Sequence, residues 1–387
     1  MTSMILDVLT DQARFSGTIL FGRSERPLLV PHGDNGFAHE AIQLFMHGKL
    51  RRTLATLLFR LDDWLPGLRL LPNIQTSQLP LPEVYEELGI VEDTFAVYYG
   101  SPGPLRKLTI YSASAKGRSV TKIALQASAD AMICNEGKIL AMLADLGVGM
   151  DCVPSLISHG QLSSGRRFVR TTVLPSGRRD PRFGPMHSAF LGELYTHRDC
   201  VTVWNLGHGY RALKNRLETV RPNLDRASCD LIDSVVADIA TLSGNEPIAE
   251  CIVHGDFAPW NISVMDDRVC VFDWESAVLR GNPLHDFLHF HLISEALLRR
   301  VQSNAVLKRL LHDAVRHLAG VTNHLPDKRL VAALMLQYIA DIVVFFCVAD
   351  GELKLGHPVI KAYLRLLRGR RGWLPVSGVA DGSAHER

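Results

Sequence analysis

The sequence of 387 residues lacks paired cysteines, a large excess of charge and any low-complexity segment. Its seven cysteines are odd in number and scattered, with no Cys-x-x-Cys pair, so neither a disulfide framework nor a zinc ribbon is predicted. The 42 Lys and Arg residues nearly balance the 40 Asp and Glu residues. The formal net charge of +2 therefore gives no overall electrostatic signature of nucleic-acid binding, and any basic site must be local.

Targeting and membrane signals are also scarce. The first residues contain two aspartates and no basic region before an apolar one, which predicts no signal peptide. The longest apolar stretch, 331–348, contains Gln337 and Asp341, and an Asp at a bilayer centre costs about 2.5–3.5 kcal/mol. We therefore expect a buried core helix, no transmembrane span and a cytoplasmic protein. Basic residues in 49–60 and 365–371 leave peripheral membrane contact as an alternative, which is less favoured than solvated helix surfaces.

The chain is long and apolar enough for more than one folding unit, since 47% of its residues are hydrophobic and 21% are charged. Four segments differ in their patterns of apolar and polar residues. We predict an N-terminal extension of mixed α/β character (1–92), a sheet-rich segment (93–178), a mainly helical segment (179–373) and a disordered tail (374–387). In the second segment, strand patterns at 95–100, 107–113 and 119–125 are separated by turns, which predicts consecutive antiparallel strands.

The passage 251–287 has the most informative chemistry. An apolar run leads into His254-Gly255-Asp256, and a second apolar run ends at Asp273. If residues 266–267 form a tight hairpin turn, Asn261 lies opposite Phe272 and one residue out of register with Asp273. Cross-strand neighbours are roughly 5 Å apart, so the amide and the carboxylate would converge on one small volume. Oxygen ligands of this kind beside Asp256 suit Mg²⁺ bound to phosphate oxygens.

Such a group of side chains has a clear use in phosphoryl transfer, where catalysis depends on positioning and on neutralising charge. Asp256 would accept the proton of the attacking hydroxyl group, or at least orient that group. Asn261 and Asp273 would hold Mg²⁺ against the nucleotide phosphates.

At these positions the sequence resembles the aminoglycoside phosphotransferase and choline kinase-like superfamily. The resemblance is carried by HGDFAPWN (254–261), VFDWE (271–275) and GNPLHDF (281–287). It implies an α+β, bilobal, protein-kinase-like fold, with an antiparallel sheet in the N-lobe, a mainly helical C-lobe and residues 1–92 as an extra α/β segment. By the same resemblance, Asp256 is catalytic, His254 organises its loop through hydrogen bonds, and Asp286 supports that loop.

A kinase-like N-lobe needs a lysine on its third strand for the nucleotide phosphates and a helix glutamate to pair with it. Lys122 and Glu136 are in the expected places. The loop over the phosphates would be formed by Gly100, Ser101 and Gly103, but two interleaved prolines remove N–H donors, so a plain hairpin turn is equally favoured. Val173 and Leu174 lie where the hinge between lobes should contact the nucleotide base.

Two further patterns are interpreted as structural. His285, His289 and His291 cluster after Gly281 and could suggest a transition metal, but core and helix-surface histidines are the commoner explanation. A second His-Gly-Asp, ending at Asp34, is not followed by an asparagine five residues later.

The sequence thus predicts a phosphotransferase that moves the γ-phosphoryl group of ATP, with GTP as an alternative, to a hydroxyl group of a small molecule with the help of Mg²⁺. The acceptor stays open among amino sugars, other sugars, choline-like compounds and glycan precursors. The alternative from another class is a catalytically inactive kinase-fold scaffold or a nucleotide-binding regulatory protein.

Overall fold

The structure of the protein is a computed structural model. It describes most of the chain, namely residues 16–20, 26–46, 49–64, 73–75, 82–90, 94–149, 151–175, 177, 180, 182–198, 201–204, 207–265, 267–300 and 302–375. The chain forms two compact units: Met1–Met142 with Pro154–Leu174, and Leu143–Val153 with Pro175–Arg387. Most of the predicted tail, 374–387, lies outside the described residues.

The first unit is built on an antiparallel sheet of eight strands, in the order β3-β1-β2-β4-β5-β6-β8-β7. The strands are β1 (Ser16–Leu20), β2 (Leu28–Pro31), β3 (Asn73–Gln75), β4 (Thr94–Tyr99), β5 (Lys107–Ser114), β6 (Gly117–Ala124), β7 (Leu156–Gln161) and β8 (Arg167–Thr172). The predicted run of three antiparallel strands corresponds to β4, β5 and β6. Lys122 on β6 lies opposite Thr109 on β5 and Val169 on β8, so the candidate lysine occupies an interior strand.

Residues from the predicted N-terminal extension belong to this same sheet. Leu28 and Leu29 of β2 pair with Tyr98 and Val97 of β4. Position 92 is therefore not a boundary between compact units, because both sides of it lie in the first unit. The local residue pattern identifies a strand but not its partner, which can lie far away in the sequence. β2 is buried along its whole length, as is typical of an interior strand.

Helices cover both faces of the sheet. They are α1 (Asn35–Phe45), α2 (Lys49–Trp64), α3 (Pro82–Glu87) and α4 (Ala127–Asp145). Because alternate residues of a strand point to opposite faces, Leu28 packs in the core cluster with α1 and α2, whereas Leu29 packs in the cluster with α3. The second His-Gly-Asp is structural, as expected, since the Asp34 carboxylate caps α1 by accepting the Phe37 N–H at 2.9 Å.

The second unit is mainly helical. Its helices are α5 (Pro185–Thr196), α6 (His208–Val220), α7 (Arg226–Ser243), α8 (His285–Leu297), α9 (Asn304–Thr322), α10 (Lys328–Asp350) and α11 (Pro358–Arg368). Three small two-stranded sheets accompany them: β9 (Val201–Val203) with β10 (Pro247–Ala249), β11 (Cys251–Val253) with β14 (Val278–Gly281), and β12 (Ile262–Met265) with β13 (Arg268–Val271). The predicted combination of an antiparallel sheet and a helical segment is therefore confirmed.

Helix α10 is the longest helix among the described residues, and by length and composition it could cross a membrane. It nevertheless behaves as a core helix, because 83% of its most apolar window is buried and it packs against α6, α7, α8, α9 and α11. Its two polar interior residues have partners within the second unit. Gln337 accepts a hydrogen bond from the Trp204 indole at 2.7 Å, and Asp341 pairs with Arg216.

The Asp341 carboxyl makes stability depend on pH. Burial outweighs the attraction of Arg216 and raises its pKa to about 6 from an ordinary value of 3.8. The folded state therefore binds this proton more tightly, so the free energy of unfolding falls as pH rises from about 4 to 6 and no further above that. At about 1.4 kcal/mol per pKa unit, the fall is at most about 3 kcal/mol.

Replacing Asp341 by Asn is expected to remove this fall, which urea unfolding at pH 4, 5, 6 and 7 would measure. Asp313 on α9, whose side chain is 48% exposed, provides the control, and Asp313→Asn should keep the wild-type slope. A difference in stability between wild type and Asp341→Asn that is the same at every pH would contradict this assignment.

Candidate active site

In the first unit the candidate lysine and glutamate form an ion pair. The Lys122 Nζ atom on β6 lies 2.7 Å and 2.8 Å from the two carboxylate oxygens of Glu136 on α4. The glutamate side chain is 3% exposed and the lysine side chain 16% exposed, so the pair is shielded while the lysine keeps some access to solvent. The predicted pairing is present, and the binding of nucleotide by this lysine stays a prediction.

The predicted phosphate loop joins β4 to β5 as a hairpin connection. The Gly100 N–H donates to the carbonyl of Lys107 at 2.9 Å, so this amide is used within the hairpin. Ser101 and Gly103 lie at the exposed tip, and Gly103 has a φ of 142°, a backbone conformation that favours glycine. The loop is thus a hairpin turn that offers few amides to a phosphate, because the Gly100 N–H is already used and Pro102 and Pro104 have none.

The predicted hinge coincides with a crossing between units. Val173 packs at the edge of the sheet core, and Leu174 is the last residue of the first unit before the chain enters the second at Pro175. The contact of Val173 and Leu174 with the nucleotide base stays a prediction.

In the second unit, the hairpin β12–β13 has the register that the sequence predicts. Met265 pairs with Arg268, Val264 with Val269 and Ile262 with Val271. The next step of the ladder is a hydrogen bond of 3.1 Å from the Phe272 N–H to the Asn261 carbonyl. Asn261 and Asp273 are therefore diagonal neighbours at the open end of the hairpin.

Asp273 has a left-handed backbone conformation, with a φ of 72° and a ψ of 62°. This conformation ends the extended chain of β13 and begins the 3₁₀ turn Trp274–Ser276. The ligand atoms of Asp273 and Glu275 lie within 4.8 Å of each other, which adds a second carboxylate to the hairpin end. Left-handed asparagine and aspartate residues are the commonest non-glycine exceptions, so this aspartate is compatible with the sharp change of direction.

The loop that carries Asp256 is held by a buried carboxylate at the start of α8. The Asp286 oxygens accept the N–H groups of His254 at 2.7 Å and Gly255 at 3.0 Å. Burial raises the pKa of Asp286, whereas these two hydrogen bonds and the neighbouring His254 oppose that rise. The predicted supporting position of Asp286 is present in the structure.

Glycine is the one residue type that fits at position 255. Its φ is 83°, and a Cβ atom there would lie 2.3 Å from the Ser276 carbonyl oxygen. The loop backbone therefore passes directly against the turn that follows Asp273. This close approach explains why the motif needs glycine between His254 and Asp256.

His254 connects the loop to the hairpin. Its Nδ1 atom accepts the Asp256 N–H at 3.2 Å, so its Nε2 atom carries the proton and donates to the Phe272 carbonyl at 3.2 Å. The ring also packs edge-on against Trp274, with centroids 4.7 Å apart. His254 is completely buried and organises the loop, as the resemblance implies.

The Asp256 carboxylate is partly accessible, with 34% of its side chain exposed. One carboxylate oxygen accepts the side-chain N–H of Asn261 at 2.7 Å, and the other lies 2.8 Å from the Nε2 atom of His289. An aspartate held in this way can accept a hydrogen bond from a substrate hydroxyl group without first changing its conformation.

The oxygen atoms at the hairpin end fit a magnesium ion. The Asn261 amide directs its nitrogen towards Asp256, which leaves its oxygen as the ligand atom, and Asp273 and Glu275 contribute carboxylates. This is an all-oxygen donor set without cysteine or histidine, which suits a hard cation. The metal assignment of Asn261 and Asp273 stays a prediction.

Sequence reasoning missed His289 and its partners Tyr338 and Tyr363, and it left Glu275 without a role. The sequence pattern predicts a core or helix-surface histidine at position 289, and His289 is buried. The available signal was spacing, because His289 follows Asp286 by three residues and so lies on the same face of α8. The two tyrosines come from α10 and α11, which no sequence pattern connects with the motif.

Comparison with known protein families shows to which family the chain belongs. A sequence model described as the phosphotransferase enzyme family, APH, matches residues 109–322, which is more than half of the chain. The chain belongs to this family. The matched region of this phosphotransferase contains Lys122, Glu136 and the whole passage 254–286. It begins within β5, so the loop at 100–104 and the strands β1 to β4 lie outside it.

Solved structures place the phosphotransferase in the same fold. Similar structures include a thermostable mutant of aminoglycoside phosphotransferase APH(4)-Ia in its apo form, with a TM-score of 0.51 and 14% identity over 75% of this chain and 98% of that chain. The structure of aminoglycoside phosphotransferase APH(4)-Ia has a TM-score of 0.50 and 12% identity over 74% and 97%. A search of curated proteins found no match. The resemblance and the kinase-like fold inferred from the motifs are therefore confirmed.

Proposed function

We propose that this phosphotransferase transfers the γ-phosphoryl group of ATP to a hydroxyl group of a small molecule. The observation that carries the proposal is the Asp256 loop. Asp286 holds its backbone, Asn261 and His289 hold the carboxylate, and a third of the Asp256 side chain remains accessible. A preorganised and accessible carboxylate is what the reaction needs to orient a hydroxyl group for in-line attack.

Each residue has a distinct part in the proposal. Asp256 accepts a hydrogen bond from the acceptor hydroxyl group and takes its proton as the phosphoryl group is transferred. Asn261 and Asp273 hold Mg²⁺, with Glu275 nearby. Mg²⁺, when bound, neutralises negative charge on the nucleotide phosphates. In the first unit, Lys122 binds nucleotide phosphate oxygens and Glu136 keeps its ammonium group in place.

A solved relative motivates the choice of donor and of acceptors to test. A variant of the thermostable APH(4)-Ia mutant, similar to this chain with a TM-score of 0.50 and 13% identity, was solved as a ternary complex with AMP-PNP and hygromycin B. ATP is therefore the first donor to test, with GTP as the alternative. Aminoglycosides enter the acceptor panel together with other sugars, choline-like compounds and glycan precursors.

The function is tested by following ADP release from Mg²⁺-ATP in the presence of each acceptor and of a metabolite extract. We expect release to rise above the acceptor-free rate for at least one acceptor and to stop on chelation of Mg²⁺. Nucleotide binding without acceptor-stimulated release in any of these mixtures would contradict the proposal and favour the inactive scaffold.

Replacing Lys122 by Met is expected to raise the KM for ATP by about tenfold to a hundredfold. A charge-assisted hydrogen bond contributes about 1.5–3 kcal/mol, and each 1.4 kcal/mol is a factor of ten in affinity. The measurement is the ATP dependence of turnover, together with direct binding of a fluorescent ATP analogue.

The control for this prediction concerns the buried partner. Lys122→Met leaves the Glu136 carboxylate unpaired at 3% exposure, which also destabilises the fold. Adding Glu136→Gln removes that buried charge, so the double variant should recover stability but keep the weak ATP affinity. An unchanged ATP affinity in both variants would show that Lys122 does not bind the nucleotide.

A further inference from the structure

The Asp256 carboxylate is held by two side chains that approach different oxygens. The Asn261 Nδ2 atom lies 2.7 Å from Oδ2, and the His289 Nε2 atom lies 2.8 Å from Oδ1. Each carboxylate oxygen can accept two hydrogen bonds, so both contacts leave a lone pair on each oxygen for a substrate hydroxyl group. The two contacts together prevent the carboxylate from rotating about its side-chain bonds.

His289 is itself fixed from behind by two buried hydroxyl groups. The Tyr338 hydroxyl lies 3.3 Å from the His289 Nδ1 atom and 2.7 Å from the Tyr363 hydroxyl. Burial raises the pKa of both tyrosines, so both hydroxyl groups stay protonated. The imidazole thus has a polar partner at each ring nitrogen, although only 5% of the His289 side chain is exposed.

A second histidine supports the ring without competing for the carboxylate. His285 lies one turn earlier on α8 and stacks on His289, with centroids 5.9 Å apart and an angle of 9° between the planes. Burial lowers the pKa of His285 to about 3, so its ring is neutral. Its Nε2 atom lies 3.3 Å from the Gly255 carbonyl and donates to the loop rather than to Asp256.

We propose that His289 is a positioning residue that orients the Asp256 carboxylate through its Nε2–H group, with Tyr338 and Tyr363 holding the imidazole in place. The inference rests on the proposed function, since it assigns Asp256 the role of accepting the substrate proton. His289 does not contact the acceptor or the nucleotide in this account.

The direction of the contact follows from the chemistry of the two groups. An ionised carboxylate has no proton to donate, so the proton in the 2.8 Å contact belongs to the imidazole nitrogen. A donor at this distance fixes the orientation of the Asp256 carboxylate towards the attacking hydroxyl group. In a loose transition state the base mainly orients the attacking oxygen, so fixing the carboxylate contributes more than raising its basicity.

Glutamine and asparagine provide a matched pair of substitutions at this position. The amide nitrogen of glutamine occupies the place of Nε2 in histidine, so His289→Gln keeps a donor towards Asp256. The amide of asparagine reaches only as far as Nδ1, so His289→Asn keeps the contact with Tyr338 but loses the contact with Asp256. A residue that merely fills the core would be replaced equally well by asparagine and by glutamine, and one that only anchors Tyr338 would be replaced better by asparagine.

We expect kcat to fall by about tenfold to a hundredfold in His289→Asn and to stay within about threefold of wild type in His289→Gln, because a small misplacement of a catalytic group can cost a factor of about a hundred. The KM for ATP should not change in either variant. Turnover is measured with the acceptor found by screening and also as hydrolysis of Mg²⁺-ATP, with water as the acceptor. Equal kcat values in the two variants would overturn the inference.

The outcomes also separate this inference from the proposed function. If wild type and Asp256→Asn turn over equally, the proposed function fails; if Asp256→Asn alone is inactive while both His289 variants match wild type, only the role of His289 fails. A double-mutant cycle of His289→Asn with Asp256→Ala, measured by urea unfolding, tests the contact without turnover. Non-additive midpoints support the contact, and additive midpoints overturn it.

Discussion

Replacing Asp256 by Asn is expected to lower kcat by about 10²-fold to 10⁴-fold, the range typical of a positioned general base. The amide can still accept a hydrogen bond but cannot take the proton of the attacking hydroxyl group. Its size matches that of the carboxylate, so the loop held by Asp286 should keep its conformation. The measurement is steady-state transfer of the phosphoryl group from Mg²⁺-ATP to the acceptor found by screening.

Nucleotide binding provides the control for this variant. Lys122 and Glu136 belong to the other compact unit, so the affinity for an ATP analogue should be the same in wild type and Asp256→Asn. A loss of kcat together with unchanged nucleotide affinity supports the assignment. A variant that transfers at the wild-type rate would show that Asp256 is not the base.

Replacing Asp286 by Ala is expected to lower the free energy of unfolding by about 3 kcal/mol and to abolish turnover. The carboxylate accepts two N–H groups from the loop, and its loss leaves both donors without this partner, the His254 N–H in a fully buried place. An unsatisfied buried donor costs about 1–3 kcal/mol, and removing one member of a buried charged contact costs about 3–5 kcal/mol. Urea unfolding and turnover are measured on the same preparation.

The half-exposed Asp313 again provides the control, since Asp313→Ala should change stability by less than about 0.5 kcal/mol and leave turnover unchanged. A stable but inactive Asp286→Ala protein would mean that the aspartate acts on the reaction rather than on the loop. A variant with wild-type stability and wild-type turnover would contradict the structural account of the loop.

Local geometry was predictable from the sequence because it depends on short spacings. The hairpin register follows from counting back from a tight turn, and the structure pairs Asn261 with Phe272 as that count requires. The Lys122 and Glu136 pairing follows from the order of a strand and the helix after it. In both cases few residues separate the partners, so periodicity and turn length leave little freedom.

Contacts between residues that are far apart in the sequence were not predictable in the same way. Nothing in the pattern of β2 indicates that it pairs with β4 across more than sixty residues, although its complete burial is typical of an interior strand. The contact between His289 and Tyr338 joins two helices that are separated in sequence by α9. A buried histidine looks the same in sequence whether it fills a core or holds a catalytic carboxylate, so its role becomes visible only from its neighbours.

The central claim is that Asp256 directs the γ-phosphoryl group of ATP to a small-molecule hydroxyl group. The most direct test uses ATP labelled with ¹⁸O in the γ-phosphoryl group, incubated with Mg²⁺ and the acceptor panel, and detects labelled products by mass spectrometry. The account predicts a labelled phosphate ester of the acceptor with wild type and almost none with Asp256→Asn. Equal labelling by the two proteins, or nucleotide binding without a labelled acceptor in any mixture, would contradict it.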